Sequence, residues 1–158
     1  IRKKYPMDIL ECPDEPTPDS CPESVERQIR DTEGERILNK IKDDEYVVAL
    51  CIDGKHYSTQ EWGDRMNRIF LQVPSQVTFV IGGSLGLSEK VIRRANEKLS
   101  FSALTFPHQM MRLILCEQIA RIHEGELFME NLPGKGFRAG LFTDWLQEGE
   151  DLETGKQV

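Results

Sequence analysis

Two rhythms of apolar residues alternate along this chain. Tyr46–Ile52 (YVVALCI) and Val77–Ile81 (VTFVI) are unbroken apolar, β-branched runs. Runs of that kind predict strands buried on both faces, as in a parallel sheet. Before, between and after them apolar residues recur every three or four positions, which predicts helices. One helix starts after Pro22 and is marked by Val25, Ile29, Ile37, Leu38 and Ile41, with Gly34 weakening it. Asp53-Gly54 closes the first strand. Ser58 and Glu61 then have the spacing of a capping box, ahead of Trp62, Met66, Ile69 and Phe70 on one helix face. A further helix is predicted from Ser88 to Lys98. Leu99–Phe106 (LSFSALTF) reads as extended, and Pro107 opens a last helix through Met110, Met111, Ile114, Leu115, Gln118 and Ile122. At the start, Met7–Cys12 reads as a strand stopped by Pro13, and Pro13–Pro22 as a proline-rich loop.

The order β-α-β-α-β-α-β-α predicts an α/β fold, a mostly parallel sheet covered by helices. Residues 1–123 form the expected domain. Residues 124–158 lose the periodicity and form an acidic tail, in which only Phe137–Leu146 is expected to add a short helix.

Composition narrows the function. The chain has 158 residues, 39% hydrophobic and 30% charged, which is the make-up of a globular domain. No apolar stretch approaches the ~18 residues of a spanning helix, so no membrane partner is expected. No basic-plus-apolar leader is seen, and the expected compartment is the cytoplasm. Cys12, Cys21, Cys51 and Cys116 have no close pair, and His56, His108 and His123 form no ligand-spaced cluster, so no metal is expected. Net charge is −7, but it is uneven. Residues 8–35 carry ten acids against two arginines, whereas residues 88–112 carry five bases against Glu89 and Glu97. A local basic face of that kind is able to hold a phosphate backbone, although on charge alone a solvated helix face is the simpler reading.

Two segments are candidates for chemistry. Parallel sheets bind ligands beyond the carboxyl ends of their strands. Gly82-Gly83-Ser84-Leu85-Gly86 follows a buried strand and precedes a helix, so a ligand has access to its backbone. It is neither a Walker A loop nor a G-x-G-x-x-G, and taken alone it reads first as a tight turn. Leu99–Arg112 (LSFSALTFPHQMMR) places hydroxyls and a proline inside an apolar run, which exposes backbone groups to a flat heterocycle such as adenine. The simpler alternative is an irregular strand whose hydroxyls cap the next helix. His108 lacks an acid partner and reads as structural or orienting, and no catalytic side chain is singled out. No nucleophile elbow and no H-E-x-x-H is present.

Phe79–Leu87 (FVIGGSLGL), Leu99–Arg112 and Glu117-Gln118-Ile119, with Glu33–Leu38 (EGERIL) and Leu50–Lys55 (LCIDGK), together resemble the bacterial ribosomal RNA large-subunit methyltransferase H family, of the SPOUT class. The likeness runs from about Tyr5 to Arg121. It implies a deep trefoil knot near the C-terminus, and methylation of N3 of a pseudouridine in large-subunit (23S) ribosomal RNA by S-adenosyl-L-methionine. It also implies a homodimer whose substrate is ribosomal RNA in an assembled ribosomal particle. Its cofactor contacts would fall on Leu50, Gly82, Phe101, Ser102, Ala103, Leu104, Thr105 and Phe106. Arg93, Arg94, Lys98 and Arg112 are the expected RNA contacts.

The sequence departs from that family at both ends. The family's first strand and helix have no counterpart here, and Ala120–Phe128 replaces its closing Tyr-His segment. Because the Tyr-His pair lies near the cofactor in the family, a non-catalytic ribosome- or RNA-binding relative is the alternative reading. A generic nucleotide-binding α/β domain, suggested by the glycine loop alone, is a third.

Overall fold

The structure is a computed structural model that describes residues 8–73, 76–122, 125–132 and 136–143, the last two stretches as backbone only. The elements are α1 (Glu23–Leu38), β1 (Tyr46–His56), α2 (Thr59–Gln72), β2 (Val77–Ile81), α3 (Glu89–Arg94), β3 (Glu97–Ser100), α4 (His108–Ile122), β4 (Gly125–Leu132) and β5 (Gly136–Thr143).

The apolar runs do what their composition dictates. β1 lies at the centre of a three-stranded sheet of order β2-β1-β3, and both pairings are parallel. Val47, Val48 and Ala49 have no exposed surface, because helices cover both faces. On one face Val47, Val80 and Val91 pack with Ile37, Leu38 and Ile41, which brings α1 and α3 over the sheet. On the other, Val48, Leu50 and Leu99 meet Trp62, Met66 and Ile69 of α2 and Leu115 and Ile119 of α4. Burying each of these side chains contributes about 1.5–3 kcal/mol. The expected capping box at the head of α2 forms in full. Ser58 N–H donates to Glu61 Oε2 at 2.8 Å, and Glu61 N–H donates to Ser58 Oγ at 3.3 Å.

The elements depart from their expected positions in several places. Residues 8–12 form no strand, and Met7 lies outside the described residues. A strand needs a neighbouring ladder. Here side chains take the carbonyls instead, with Lys40 Nζ on Glu11 O (2.8 Å) and Arg36 on Pro13 O (2.9 Å). Asp53-Gly54 does not end β1, which continues to His56 after a register break against β3 between Leu50 and Lys55. The helix expected to reach Lys98 stops at Arg94. Asn96 docks on β1 from both sides, its N–H donating to Val47 O and its Oδ1 accepting from Val47 N–H, each at 2.8 Å. That turns the chain into β3 at Glu97. β3 in turn ends at Ser100, because local side-chain bonds replace the ladder. Ser100 Oγ donates to Ser102 O, and Leu104 N–H donates to Ser102 Oγ, both at 3.0 Å. No helix forms over residues 137–143, which pair antiparallel with β4 in a separate two-stranded sheet. Gly140 in the middle of that run disfavours a helix, and the ladder satisfies the backbone. Residues 144–146 lie outside the described residues.

Candidate active site

Strand register builds the site. Leu50 on β1 pairs with Ile81 on β2 and with Leu99 on β3. Leu50 therefore stands between the residue just before Gly82 and the residue two before Phe101. All three chain segments emerge at the carboxyl end of the sheet, where parallel α/β folds take ligands. Gly82 is followed by a tight turn in which Gly86 N–H donates to Gly83 O at 3.1 Å and Gly86 holds a positive φ of 81°. A Cβ on Gly82 would stand 2.8 Å from the Gly86 carbonyl carbon, whereas one on Gly86 would meet nothing within 4 Å. The turn is thus closed on the inside and open on one outer face.

The third segment, Phe101–Pro107, is neither helix nor strand. The Phe101 ring meets Trp62 edge-on at 6.0 Å, and Phe79 meets the same indole at 6.2 Å. Ala103, Leu104 and Thr105 are exposed, with Leu104 at 69%, while Ser102 and Phe106 are half-buried. A surface leucine suits a ligand that packs on the segment, although Leu104 N–H and Ser102 O are already engaged by local side chains. His108 begins α4 and is exposed.

The four expected RNA contacts do not share one face. Arg93 and Arg94 belong to α3 and Arg112 to α4, which cover opposite faces of the sheet, and Lys98 sits on β3. Each has a protein partner. Arg93 pairs with Glu89 (2.5 Å), Lys98 with Asp53 (2.7 Å) and Arg112 with Glu11 (2.8 Å). Arg94 donates to the carbonyls of Lys42, Asp43 and Glu45 and so fastens the turn before β1. Arg93 and its partner are highly exposed, and exposed pairs exchange readily for other anions.

Sequence reading missed a polar cluster beneath α2. Glu97 accepts from Tyr57 Oη at 2.5 Å, Arg65 Nε at 2.9 Å and Tyr46 Oη at 3.3 Å. These residues are scattered along the chain, and no local spacing announces them. Burial, reinforced by the bond to Glu97, pushes the Tyr57 phenol up to about 12. Burial also works against the Glu97 carboxylate, but hydrogen bonds from Arg65 and Tyr57 outweigh it and hold its pKa below the ordinary value. Glu97 therefore stabilises the fold above the ordinary carboxylate pKa. That contribution disappears as pH falls through the depressed folded value. Glu97→Gln should lower stability at neutral pH and flatten the acid limb below pH 4.5, as measured by urea unfolding across pH. An acid limb as steep as the parent's would mean another carboxylate governs it.

Two cavities adjoin this region. One of about 200 Å³ is lined by residues that include Tyr57, Thr59, Trp62, Ser100, Phe101 and Gln118. The other, about 380 Å³, is lined by Lys55, Tyr57, Glu61, Asp64, Arg65 and Arg68. They share Tyr57.

The model of the family described as predicted SPOUT methyltransferase matches residues 1–125. The chain belongs to the SPOUT methyltransferase family. Enzymes of this family use S-adenosylmethionine as methyl donor. A protein of Listeria monocytogenes named ribosomal RNA large subunit methyltransferase H is 52% identical over 113 residues, 72% of this chain and 71% of the relative. Proteins of the same name from Bacillus pumilus and Enterococcus faecalis are 52% and 48% identical over 115 residues, 73% of this chain and 72% of each relative. Family membership thus carries the parallel α/β fold and the enzyme class. Among the described residues no helix is long and apolar enough to cross a membrane.

Proposed function

We propose that this protein transfers the methyl group of S-adenosylmethionine to N3 of a pseudouridine in large-subunit ribosomal RNA, presented by an assembled ribosomal particle. The observation that carries the reading is the alignment of Leu50, Gly82 and Phe101 at one end of the sheet, in a chain about half identical to proteins named ribosomal RNA large subunit methyltransferase H. The working unit is a cytoplasmic homodimer. Residues 1–123 are the methyltransferase domain, whose segment through Gly82–Gly86 and Leu99–Pro107 threads as a deep trefoil knot. Residues 124–158 are an appendage to it.

Leu50, Gly82 and Phe101, Ser102, Ala103, Leu104, Thr105 and Phe106 form the cofactor cradle. The glycine-rich turn fits this role, because Gly86 leaves an open face beside backbone donors and acceptors. When bound, S-adenosylmethionine supplies an electrophilic methyl carbon on a sulfonium. The backbone of 101–106 orients the adenine, and the exposed Leu104 packs on it and excludes water. The chain's main catalytic task is to hold the acceptor nitrogen about 3 Å from the reacting carbon, in line for displacement. The N3 proton passes to water or a weak base.

Labelled methyl transfer to ribosomes from a methylation-deficient strain tests this directly. Incorporation at a single pseudouridine is expected. Cofactor binding without incorporation would replace the enzyme by a non-catalytic ribosome-binding relative. Of the four basic residues, Arg93 and Lys98 are the ones proposed to exchange their partners for phosphate. Reversing both charges should weaken ribosome binding about tenfold or more at low salt, because each phosphate contact adds a counterion-release term. Cofactor affinity in that variant should stay unchanged by calorimetry, and an equal loss of both affinities would mean misfolding.

A further inference from the structure

The 380 Å³ cavity beside α2 stands apart from the cofactor cradle, with which it shares no lining residue. Its size is that of a small-ligand cleft, about 300–1,000 Å³. Its lining holds three cations, Lys55, Arg65 and Arg68, and two acids, Glu61 and Asp64. The acids are spent at the head of α2. Glu61 Oε2 accepts from both the N–H and the hydroxyl of Ser58, each at 2.8 Å, and Asp64 accepts from Gln60 at 3.3 Å. The backbone bond from Ser58 is the main reason the Glu61 carboxyl lies below its usual range, and Lys55 adds least to that shift. Arg65 donates through Nε to Glu97 and through Nη2 to Tyr46, and neither bond uses Nη1. Lys55 and Arg68 remain. Both are exposed, and among the described residues neither makes a hydrogen bond or an ion pair. Lys55 is nonetheless held in place, its Nζ 4.6 Å from the centre of the Tyr57 ring, whose hydroxyl is fixed on Glu97 at 2.5 Å. Two cations without a counter-charge and a spare guanidinium N–H, lining one cleft, are the donor set that takes a phosphate.

We infer that this cavity is an anion site for a single phosphate group, held by Lys55 Nζ and the Arg68 guanidinium, with Arg65 Nη1 as a further donor. The two carboxylates in the lining offset part of the positive charge and repel a polyphosphate, so a monoester or a diester is the class that fits. The site goes beyond the methyltransferase reading, because S-adenosylmethionine carries no phosphate. Two sources supply such a group, a phosphodiester of bound RNA and a free nucleotide, and the experiment separates them.

The full protein, titrated into millimolar inorganic phosphate at constant ionic strength, should broaden the phosphorus NMR resonance. Lys55→Gln and Arg68→Gln combined in one chain should raise the phosphate Kd about tenfold or more, the effect of one charge-assisted hydrogen bond. Tm should hold, because neither side chain bonds to the protein. Arg27→Gln removes an exposed cation of α1 and should leave the phosphate Kd unchanged. With RNA as the source, the double variant should also bind ribosomes about tenfold more weakly while cofactor Kd stays constant, since each phosphate contact adds a counterion-release term. With a free nucleotide as the source, ribosome binding should hold and adenosine monophosphate should bind more tightly than inorganic phosphate. No broadening with the parent protein, or an equal loss in Arg27→Gln, would overturn the inference. Displacement of phosphate by S-adenosylhomocysteine would overturn it too, and give the cavity to the cofactor's carboxylate. If the parent protein methylates no ribosome, the methyltransferase reading falls separately, and the phosphate titration still decides the site.

Discussion

Gly82→Val should abolish cofactor binding, lowering affinity for S-adenosylhomocysteine about 100-fold or more, equivalent to about 2.7 kcal/mol. A side chain at this position has no room inside the turn. Its Cβ would stand 2.8 Å from the Gly86 carbonyl carbon and 3.1 Å from both Gly86 Cα and O. Those atoms are backbone, fixed by the Gly83–Gly86 bridge and by Gly86 at a φ of 81°. The turn has to open, which displaces the donors and acceptors that face the ligand. A branched side chain makes this worse than alanine would, since it adds bulk in both directions. Overpacking of this kind costs about 1–3 kcal/mol, so the variant should still fold. Calorimetry with S-adenosylhomocysteine, alongside thermal unfolding, separates lost binding from lost fold. Gly83→Ala is the control. Its Cβ would meet the carboxylate oxygens of Glu33 and Asp14 at 3.6 and 3.8 Å, ordinary contact, so both affinity and stability should hold. Retained affinity in Gly82→Val would remove this turn from the cradle.

That Tyr46–Ile52 and Val77–Ile81 form parallel strands was legible because both runs are apolar throughout. Only a strand covered on both faces tolerates such composition, and the observed burial of β1 agrees. The capping box was legible because Ser58 and Glu61 stand three positions apart and bond to each other within one turn. What escaped is long-range. Nothing in the run SEKVIRRANEKLS announces that Asn96 will bond both ways to Val47 and cut a helix short. Nor does any spacing join Tyr46, Tyr57, Arg65 and Glu97, whose shared hydrogen bonds exist only once α2 is laid over β1 and β3. The basic residues of 88–112 cluster in sequence, yet α3 and α4 carry them to opposite faces of the sheet. Charge counted along a chain misleads wherever successive helices alternate sides, as they do here.

Gly54 shows the same limit, and its replacement should be the most damaging single change to the fold. Asp-Gly after an apolar run reads as a turn. In the structure the strand goes on, and Gly54 is buried where β1 leans on β3. A Cβ there would lie 2.4 Å from the Leu99 carbonyl carbon, 2.7 Å from its oxygen and 2.8 Å from its nitrogen. No rotamer change relieves a clash with backbone, so β3 must move away. Glycine inside a strand marks this kind of close approach. Moving β3 breaks the pairs Lys55↔Leu99 and His56↔Ser100 and pulls Leu99, 1% exposed, out of the core. Gly54→Ala should therefore cost about 3 kcal/mol, the upper end for overpacking. For a domain of this size that lowers Tm by about 10 °C. The damage should also reach the cradle, because Leu99 leads directly into Phe101–Phe106. Urea unfolding and cofactor calorimetry on the same protein should fall together. A variant with the parent's stability would show that β3 yields at Leu99 without cost. One that lost stability but kept full cofactor affinity would show that the 101–106 segment holds its shape without β3.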